Sequence, residues 1–102
     1  MTLEAISSLI LSFPNVEENP HFERAAFKVR GKRIFTTILE ADLTANLKLS
    51  EVDQSVFSQI NDHIYPVDNK WGKQGWTTFE FETLDEELMR DAIKKAYDAI
   101  FN

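Results

Sequence analysis

The chain has 102 residues, 43% of them hydrophobic and 12% aromatic, which fits one packed domain over residues 1–102 and is too short for two. The net charge of −6 argues against indiscriminate binding of polyanions, and the absence of cysteine excludes disulfides, cysteine-based zinc sites and thiol chemistry. No apolar run approaches the ~20 residues of a membrane span and no positive charge precedes the N-terminal apolar run, so we expect a soluble, cytoplasmic protein.

The first predicted element is a helix over residues 2–11. Apolar residues, among them Ile6 and Ile10, recur there at helical spacing, and Thr2 is a suitable N-cap. The stretch NVEENPHF that follows, residues 15–22, is polar and prone to turns. We therefore predict a loop between the helix and the next element.

A β-hairpin is predicted in FERAAFKVRGKRIFTTILE. On its first strand Ala25, Phe27 and Val29 alternate with basic residues, which is typical of a half-buried strand. Gly31 supplies the turn. The second strand, roughly residues 32–40, is rich in the Ile, Phe and Thr that strands favour.

The length of the hairpin turn decides which residues of the second strand face the core. A two-residue turn places Ile34 and Ile38 in the core and puts Arg33, Phe35 and Leu39 on the basic face. A three-residue turn reverses the assignment and buries Phe35. The sequence leaves both possibilities open.

A third strand and a second helix follow. The strand LTANLKL, residues 43–49, alternates strictly between apolar and polar side chains. Ser50 then caps a helix that runs to about Ile60. The predicted apolar stripe of this helix consists of Val52, Val56, Phe57 and Ile60.

The last third of the chain contains two predicted strands and a helix. The irregular stretch 61–75 holds a short strand near Tyr65 to Val67, and WTTFEFE forms an alternating strand. Thr83 and Glu86 have the spacing of a capping box, which predicts a final helix that ends close to Phe101.

These elements predict an α+β fold of two layers, in the order α-β(3)-α-β(2)-α. Strands that follow one another between helices, with one polar face, indicate an antiparallel sheet whose helices pack on one side. The other side of the sheet then faces solvent.

The basic residues of the chain concentrate in one island. Residues 21–33 contain five basic residues and one acidic residue, a net charge of +4 in an otherwise acidic chain. By strand alternation Arg24, Lys28 and Arg30 share the outer face of the hairpin with Lys48 of the third strand. Cations that surround aromatic side chains are typical of nucleic-acid binders, although such a face also serves only to solubilise a sheet and protect its edge.

The hexapeptide WGKQGW, residues 71–76, holds both tryptophans and two of the three glycines. We expect Trp71 to close the end of the sheet, with Gly72 and Gly75 at positive φ to turn the chain. The parity of the following strand turns Trp76 outward, where beside Lys73 it provides a stacking or contact residue.

No catalytic or metal-binding motif is present. GxSxG, Walker and GxGxxG sequences are missing, and His21 and His63 belong to no recognisable ligand spacing. We therefore expect a protein that is not an enzyme and uses no metal or cofactor.

The order of elements and several motifs resemble those of the YjbR/MmcQ family over nearly the whole chain. The matching pieces are PHFERAAFKVRGKRIFTTI, NLKLS, YPVDNKWGKQGWTTFEF and the helix that ends in KKAYDAI. The resemblance implies a secretion-chaperone-like α+β fold and a protein commonly labelled DNA-binding, with no catalytic residues. The candidate contact residues it implies are His21, Arg24, Lys28, Arg30, Lys32, Lys48, Trp71, Lys73 and Trp76.

Two functional hypotheses follow. The first is a non-enzymatic module that binds DNA through the basic hairpin face and the tryptophan corner. The second is a protein-interaction module, homodimeric or chaperone-like, that uses the same face; the acidic surface elsewhere suits a basic partner.

Overall fold

The computed structural model describes residues 1–102 and contains one six-stranded sheet, four α-helices and two single-turn 3-10 helices, at Glu40–Asp42 and Phe81–Thr83. The α-helices and strands are, in chain order, α1 (Leu3–Leu11), β1 (Val16–His21), β2 (Arg24–Val29), β3 (Ile34–Leu39), β4 (Thr44–Lys48), α2 (Glu51–Ile60), β5 (Ile64–Pro66), α3 (Lys70–Lys73), β6 (Trp76–Phe79) and α4 (Glu86–Ala99). None of the helices is both long and apolar enough to span a membrane.

The sheet is antiparallel throughout, with the strand order β1-β2-β3-β4-β6-β5. The three longer helices supply buried residues to the same core as one face of the sheet. Phe57 of α2 packs edge-on against Phe79 of β6, and Tyr97 of α4 packs against Phe35 of β3. The predicted two-layer α+β architecture, with helices on one face of the sheet, is confirmed.

Polar caps fix where the helices begin. The hydroxyls of Thr2 and Ser50 each accept a hydrogen bond from the backbone N–H three residues later, as predicted. The predicted capping box at Thr83 and Glu86 is wrong, because Thr83 lies in a 3-10 turn and Asp85 caps α4 instead.

Strand β1 occupies most of the stretch predicted as a loop. Its six residues pair with all six residues of β2, from Val16 opposite Val29 to His21 opposite Arg24. Its four C-terminal residues are exposed, so its side chains carry no burial pattern. The strand forms because the backbone N–H and C=O groups of β2 need partners on their second side.

A β-bulge settles the alternative left open for the hairpin. The pairs Ala25–Ile38 and Phe27–Thr36 are followed by Lys28–Ile34, so Phe35 is the extra residue. Near the turn the bulge therefore buries Phe35, which is fully inaccessible, and turns Ile34 outward. Farther along, Ile38 is buried, as a two-residue turn predicts.

Helix α2 presents most of its predicted apolar stripe to solvent. Phe57 is buried, but Val52, Val56 and Ile60 are 71%, 51% and 57% exposed. These three residues recur every four positions and form a line on the outer side of the helix. The periodicity predicted the helix correctly, whereas its implied burial of the whole stripe is wrong.

Candidate functional site

The register of the sheet determines which side chains lie on its open face, away from the helices. Opposed residues of antiparallel strands project to the same side. Thr37 is opposite Asn46, which is opposite Thr78, and Lys48 is opposite Trp76. Since Thr36 and Leu47, the neighbours of these residues, are buried in the core, this second row is the open face.

A groove of about 370 Å³ runs across this open face. Strands β1 to β4, β6 and the segment before α3 all contribute to it. Its lining residues are His21, Arg24, Ile34, Thr37, Asn46, Val67, Asn69, Trp71 and Trp76. Four of the nine candidate contact residues, His21, Arg24, Trp71 and Trp76, therefore converge on one site.

Arg24 supplies the positive charge of the groove. One of its guanidinium nitrogens donates a long hydrogen bond of 3.4 Å to the hydroxyl of Thr37 on the neighbouring strand, and no carboxylate lies within 4.0 Å. The remaining donors of its guanidinium are open to a ligand. His21, opposite Arg24 in the β1–β2 pair, packs against the edge of the exposed Phe22 ring at a centroid distance of 5.0 Å.

Helix α3 positions Trp71 at the rim. The Asn69 side chain accepts a hydrogen bond of 2.8 Å from the backbone N–H of Trp71 and so caps this single turn. From α2, the Gln54 amide donates to the backbone carbonyls of Gly72, at 2.9 Å, and Trp76, at 3.2 Å. The turn is thereby fastened to β6 and to the helical layer.

The two glycines of WGKQGW allow close backbone approach at this corner. A Cβ atom on Gly72 would lie 1.9 Å from the Val67 carbonyl oxygen, and one on Gly75 the same distance from the Leu49 oxygen. Gly75 has a φ of +106°, as predicted, whereas Gly72 lies in α3 and does not have a positive φ. The role of Gly72 is close packing rather than chain reversal.

The prediction that Trp71 is a structural residue at the end of the sheet, while Trp76 is a contact residue, is wrong for Trp71. Trp71 does not close the end of the sheet; its side chain is 49% exposed, with Lys70 Nζ 5.6 Å from the ring centroid. Trp76 lies on the open face as its parity predicted, but it is half-buried. Both indoles line the same groove, so the corner supplies two aromatic surfaces to one site.

The other candidate cations of the hairpin do not line the groove. Lys28 and Arg30 both approach the carboxylate of Glu17 on β1, at 4.0 and 3.3 Å. Lys32 lies 5.6 Å from the centroid of the Phe101 ring, which makes a T-shaped contact with Tyr97 in the helical layer. Lys32 is therefore separated from the other basic residues of the face.

Two further candidate lysines border the tryptophan corner. Lys48 projects from β4 on the open face and donates a hydrogen bond to the backbone carbonyl of Gln74. Lys73 is exposed on α3 and lines a separate depression together with Lys70. Neither lysine lines the groove itself.

Five lining residues were not among the candidates: Ile34, Thr37, Asn46, Val67 and Asn69. Asn46 is a polar position of the alternating segment 43–49, and its alternation with Ala45 and Leu47 was the available signal for an outward side chain. An outward Ile34 followed only from the three-residue turn, and the bulge produces that orientation near the turn. Asn69 acts through a helix of only four residues, for which the sequence has no periodic pattern.

A second polar cluster lies at the β5–β6 edge of the sheet. Glu80 accepts a hydrogen bond from the Tyr65 hydroxyl at 2.7 Å, and its other carboxylate oxygen lies 2.6 Å from His63 Nδ1. The bonds from His63 and then Tyr65 lower the pKa of Glu80, and the bond to Glu80 raises the pKa of Tyr65. Both carboxylate oxygens are thus engaged within the protein.

The groove itself combines two indoles, one guanidinium, one imidazole and several neutral hydrogen-bonding groups. His21 and Arg24 are the only titratable side chains of its lining, and no carboxylate lies beside His21 to orient it as a base. This inventory supplies stacking, hydrogen bonding and a fixed positive charge, which are the means of recognising a ligand.

Comparison with known proteins gives one positive result. The family model described as YjbR matches residues 11–99, which include every strand and every residue of the groove. No curated protein and no solved structure gives a significant match.

Proposed function

The chain belongs to the YjbR family, and from this premise we propose that it is a non-enzymatic DNA-binding module whose contact surface is the groove on the open face of the sheet. Members of this family are commonly labelled DNA-binding, and the groove provides a physical basis for that role. A base presents a flat π surface and a phosphate presents oxygen acceptors, for which indoles and a guanidinium are suitable partners.

The observation that carries the proposal is the convergence of Arg24, Trp71 and Trp76. Arg24, on β2, is distant in sequence from Trp71 on α3 and Trp76 on β6, yet all three line one groove. Arg24 has only a neutral hydroxyl as partner, and Trp71 is half exposed. An arginine without a carboxylate partner, beside accessible indoles, adds little to the stability of the fold. The same arrangement suits contact with a polymer that carries phosphates and aromatic bases.

The proposal is tested by fluorescence anisotropy with labelled DNA, in duplex and single-stranded form, at low salt and then across a salt titration. We expect micromolar binding, quenching of tryptophan fluorescence, and an affinity that falls as salt rises. R24A should weaken binding and reduce the slope of log K against log salt by about 0.7–0.9. Absence of binding to any DNA at low salt would refute the proposal.

R90A is the matched control. Arg90 lies on α4 and pairs with Glu86 at 2.6 Å, on the helical side of the molecule. The two substitutions remove the same charge from opposite sides of the protein. Equal effects of R24A and R90A would mean that total charge, and not the groove, determines the affinity.

A second candidate function, protein interaction, is favoured by the charge of the molecule. The net charge is −6, and Glu17 neutralises part of the basic face. Tryptophan and arginine are also the residues most enriched at the centres of protein interfaces. A pull-down with and without nuclease distinguishes the two functions, because a protein ligand is retained after the nucleic acid is digested.

A further inference from the structure

The number of free cations on the open face indicates whether the groove suits duplex or single-stranded DNA. Lys28 and Arg30 share one carboxylate, and Lys48 is bonded to a backbone carbonyl. Lys32 lies against the helical layer. Arg24 is therefore the one cation of the groove lining, and a duplex binder normally distributes many cations along two phosphate backbones.

The size of the groove also favours a small occupant. Its volume of about 370 Å³ lies at the lower end of the ~300–1,000 Å³ range of small-ligand pockets. Specific protein–duplex interfaces bury roughly 1,000–2,500 Å² of protein surface. The groove alone has the size of a small-ligand site.

Two asparagines of the lining offer unpaired amide donors. The Asn46 carbonyl oxygen accepts a bond of 2.8 Å from the Thr78 hydroxyl, and the Asn69 oxygen accepts from Trp71 N–H. Their Nδ2 groups have no protein acceptor. Such donors match the edge of a base, and the Watson–Crick edge is accessible only when the base is unpaired.

We propose that the groove binds an unpaired nucleotide within a single strand, with the base against Trp71 and Trp76 and the phosphate on Arg24. This inference rests on the proposed DNA-binding function and specifies its substrate. Lys70 borders a separate depression, but its Nζ lies 5.6 Å from the centroid of the Trp71 ring, so it provides a second cation for an adjacent phosphate. Base stacking of this kind is tolerant of sequence, so the site selects strand form rather than sequence.

The test compares an oligothymidylate of ~20 nucleotides with a GC-rich duplex of the same length, which stays paired at low salt. We expect the single strand to bind at least ~10-fold more tightly, with a shallow salt slope between about −0.7 and −1.4 for one or two phosphate contacts. W71A should weaken single-strand binding by about 5- to 150-fold, the range measured for loss of one stacked base.

F101A is the control for loss of an exposed aromatic residue. Phe101 is 51% exposed, close to the value for Trp71, but it lies beside Tyr97 on the helical side. It should bind like the unmodified protein, and the circular dichroism spectrum of each variant verifies that the fold is intact. Equal losses in F101A and W71A would overturn the inference.

The outcomes separate this inference from the proposed function. If the duplex binds as tightly as the single strand or more tightly, the inference is overturned and the proposed DNA binding is retained. A slope of log K against log salt steeper than about −3 has the same meaning. Failure of both DNA forms to bind ends both proposals. If oligouridylate binds as tightly as oligothymidylate, the recognised group is the unpaired nucleotide, whether its sugar is ribose or deoxyribose.

Discussion

Substitution of Gly75 by alanine tests whether the tryptophan corner depends on backbone contact. Gly75 is buried, has a φ of +106°, and would place a Cβ atom 1.9 Å from the Leu49 carbonyl oxygen. Its own carbonyl accepts the Leu49 N–H at 3.0 Å, so the two segments are already hydrogen-bonded. The added methyl group cannot be relieved by a side-chain rotation, since the atom it meets belongs to the backbone.

Two costs add in the G75A variant. A non-glycine residue at positive φ costs roughly 1–2 kcal/mol, and forcing an extra group into a packed site costs about 1–3 kcal/mol. The expected loss in the free energy of unfolding is therefore about 2–5 kcal/mol. For a domain of this size each kcal/mol lowers Tm by roughly 4–8 °C, so the loss is readily measured by urea denaturation or a thermal melt.

Gly31 provides the matched control, because it isolates the first cost. It has a φ of +78°, but no atom lies within 4 Å of the position that a Cβ would occupy. G31A should lose only the roughly 1–2 kcal/mol of its backbone conformation. If G75A and G31A melt within about 4 °C of each other, close packing of Gly75 against Leu49 does not stabilise the corner, and this reasoning is refuted.

Three further predictions follow from the core and the polar contacts. F35A should lower the free energy of unfolding by about 3–5 kcal/mol in urea denaturation, since Phe35 is fully buried; a loss below about 1 kcal/mol would contradict the bulge. Q54L should cost about 0.5–1.5 kcal/mol, since the carbonyls of Gly72 and Trp76 lose a side-chain donor but keep the backbone N–H groups of Gly75 and Val67, and hydrogen exchange should show faster opening of α3. E80Q should be less stable than the unmodified protein at neutral pH, by less than about 1 kcal/mol because Glu80 is partly exposed. Because the folded-state pKa of Glu80 is lowered, the ionised carboxylate stabilises the fold above pH 4.5, and this stabilisation is lost as the pH falls through the folded-state pKa. A difference in stability between E80Q and the unmodified protein that persists in acid would contradict this linkage.

The periodic segments of the chain allowed most of the fold to be predicted. Helices α1 and α2 begin at the predicted caps, and the alternation in β2 and β4 correctly assigned Phe27 and Leu47 to the core. Strand β1 was missed because an exposed edge strand has no need of apolar alternation. Its structure comes from the backbone groups of β2, which are the same in every sequence.

The candidate site was predictable in its parts but not in its assembly. Arg24 and Trp76 were assigned to the open face from strand parity alone. The exposure of Trp71 depends on the four-residue helix α3, which is held by Asn69 and Gln54 through contacts across the chain. The position of Lys32 beside the Phe101 ring likewise arises from tertiary packing.

The position of the β-bulge allows the length of the hairpin loop to change. The irregularity lies between the loop and most of the groove, and Ile34 is the one lining residue on its loop side. The pairs that set the facing of Arg24 and Thr37 come after it, beginning at Phe27 and Thr36. A change of loop length between residues 30 and 33 can then be absorbed where the ladder is already broken. The tip of the hairpin is thereby insulated from every lining residue except Ile34, and a reporter sequence inserted there should leave the rest of the groove in register.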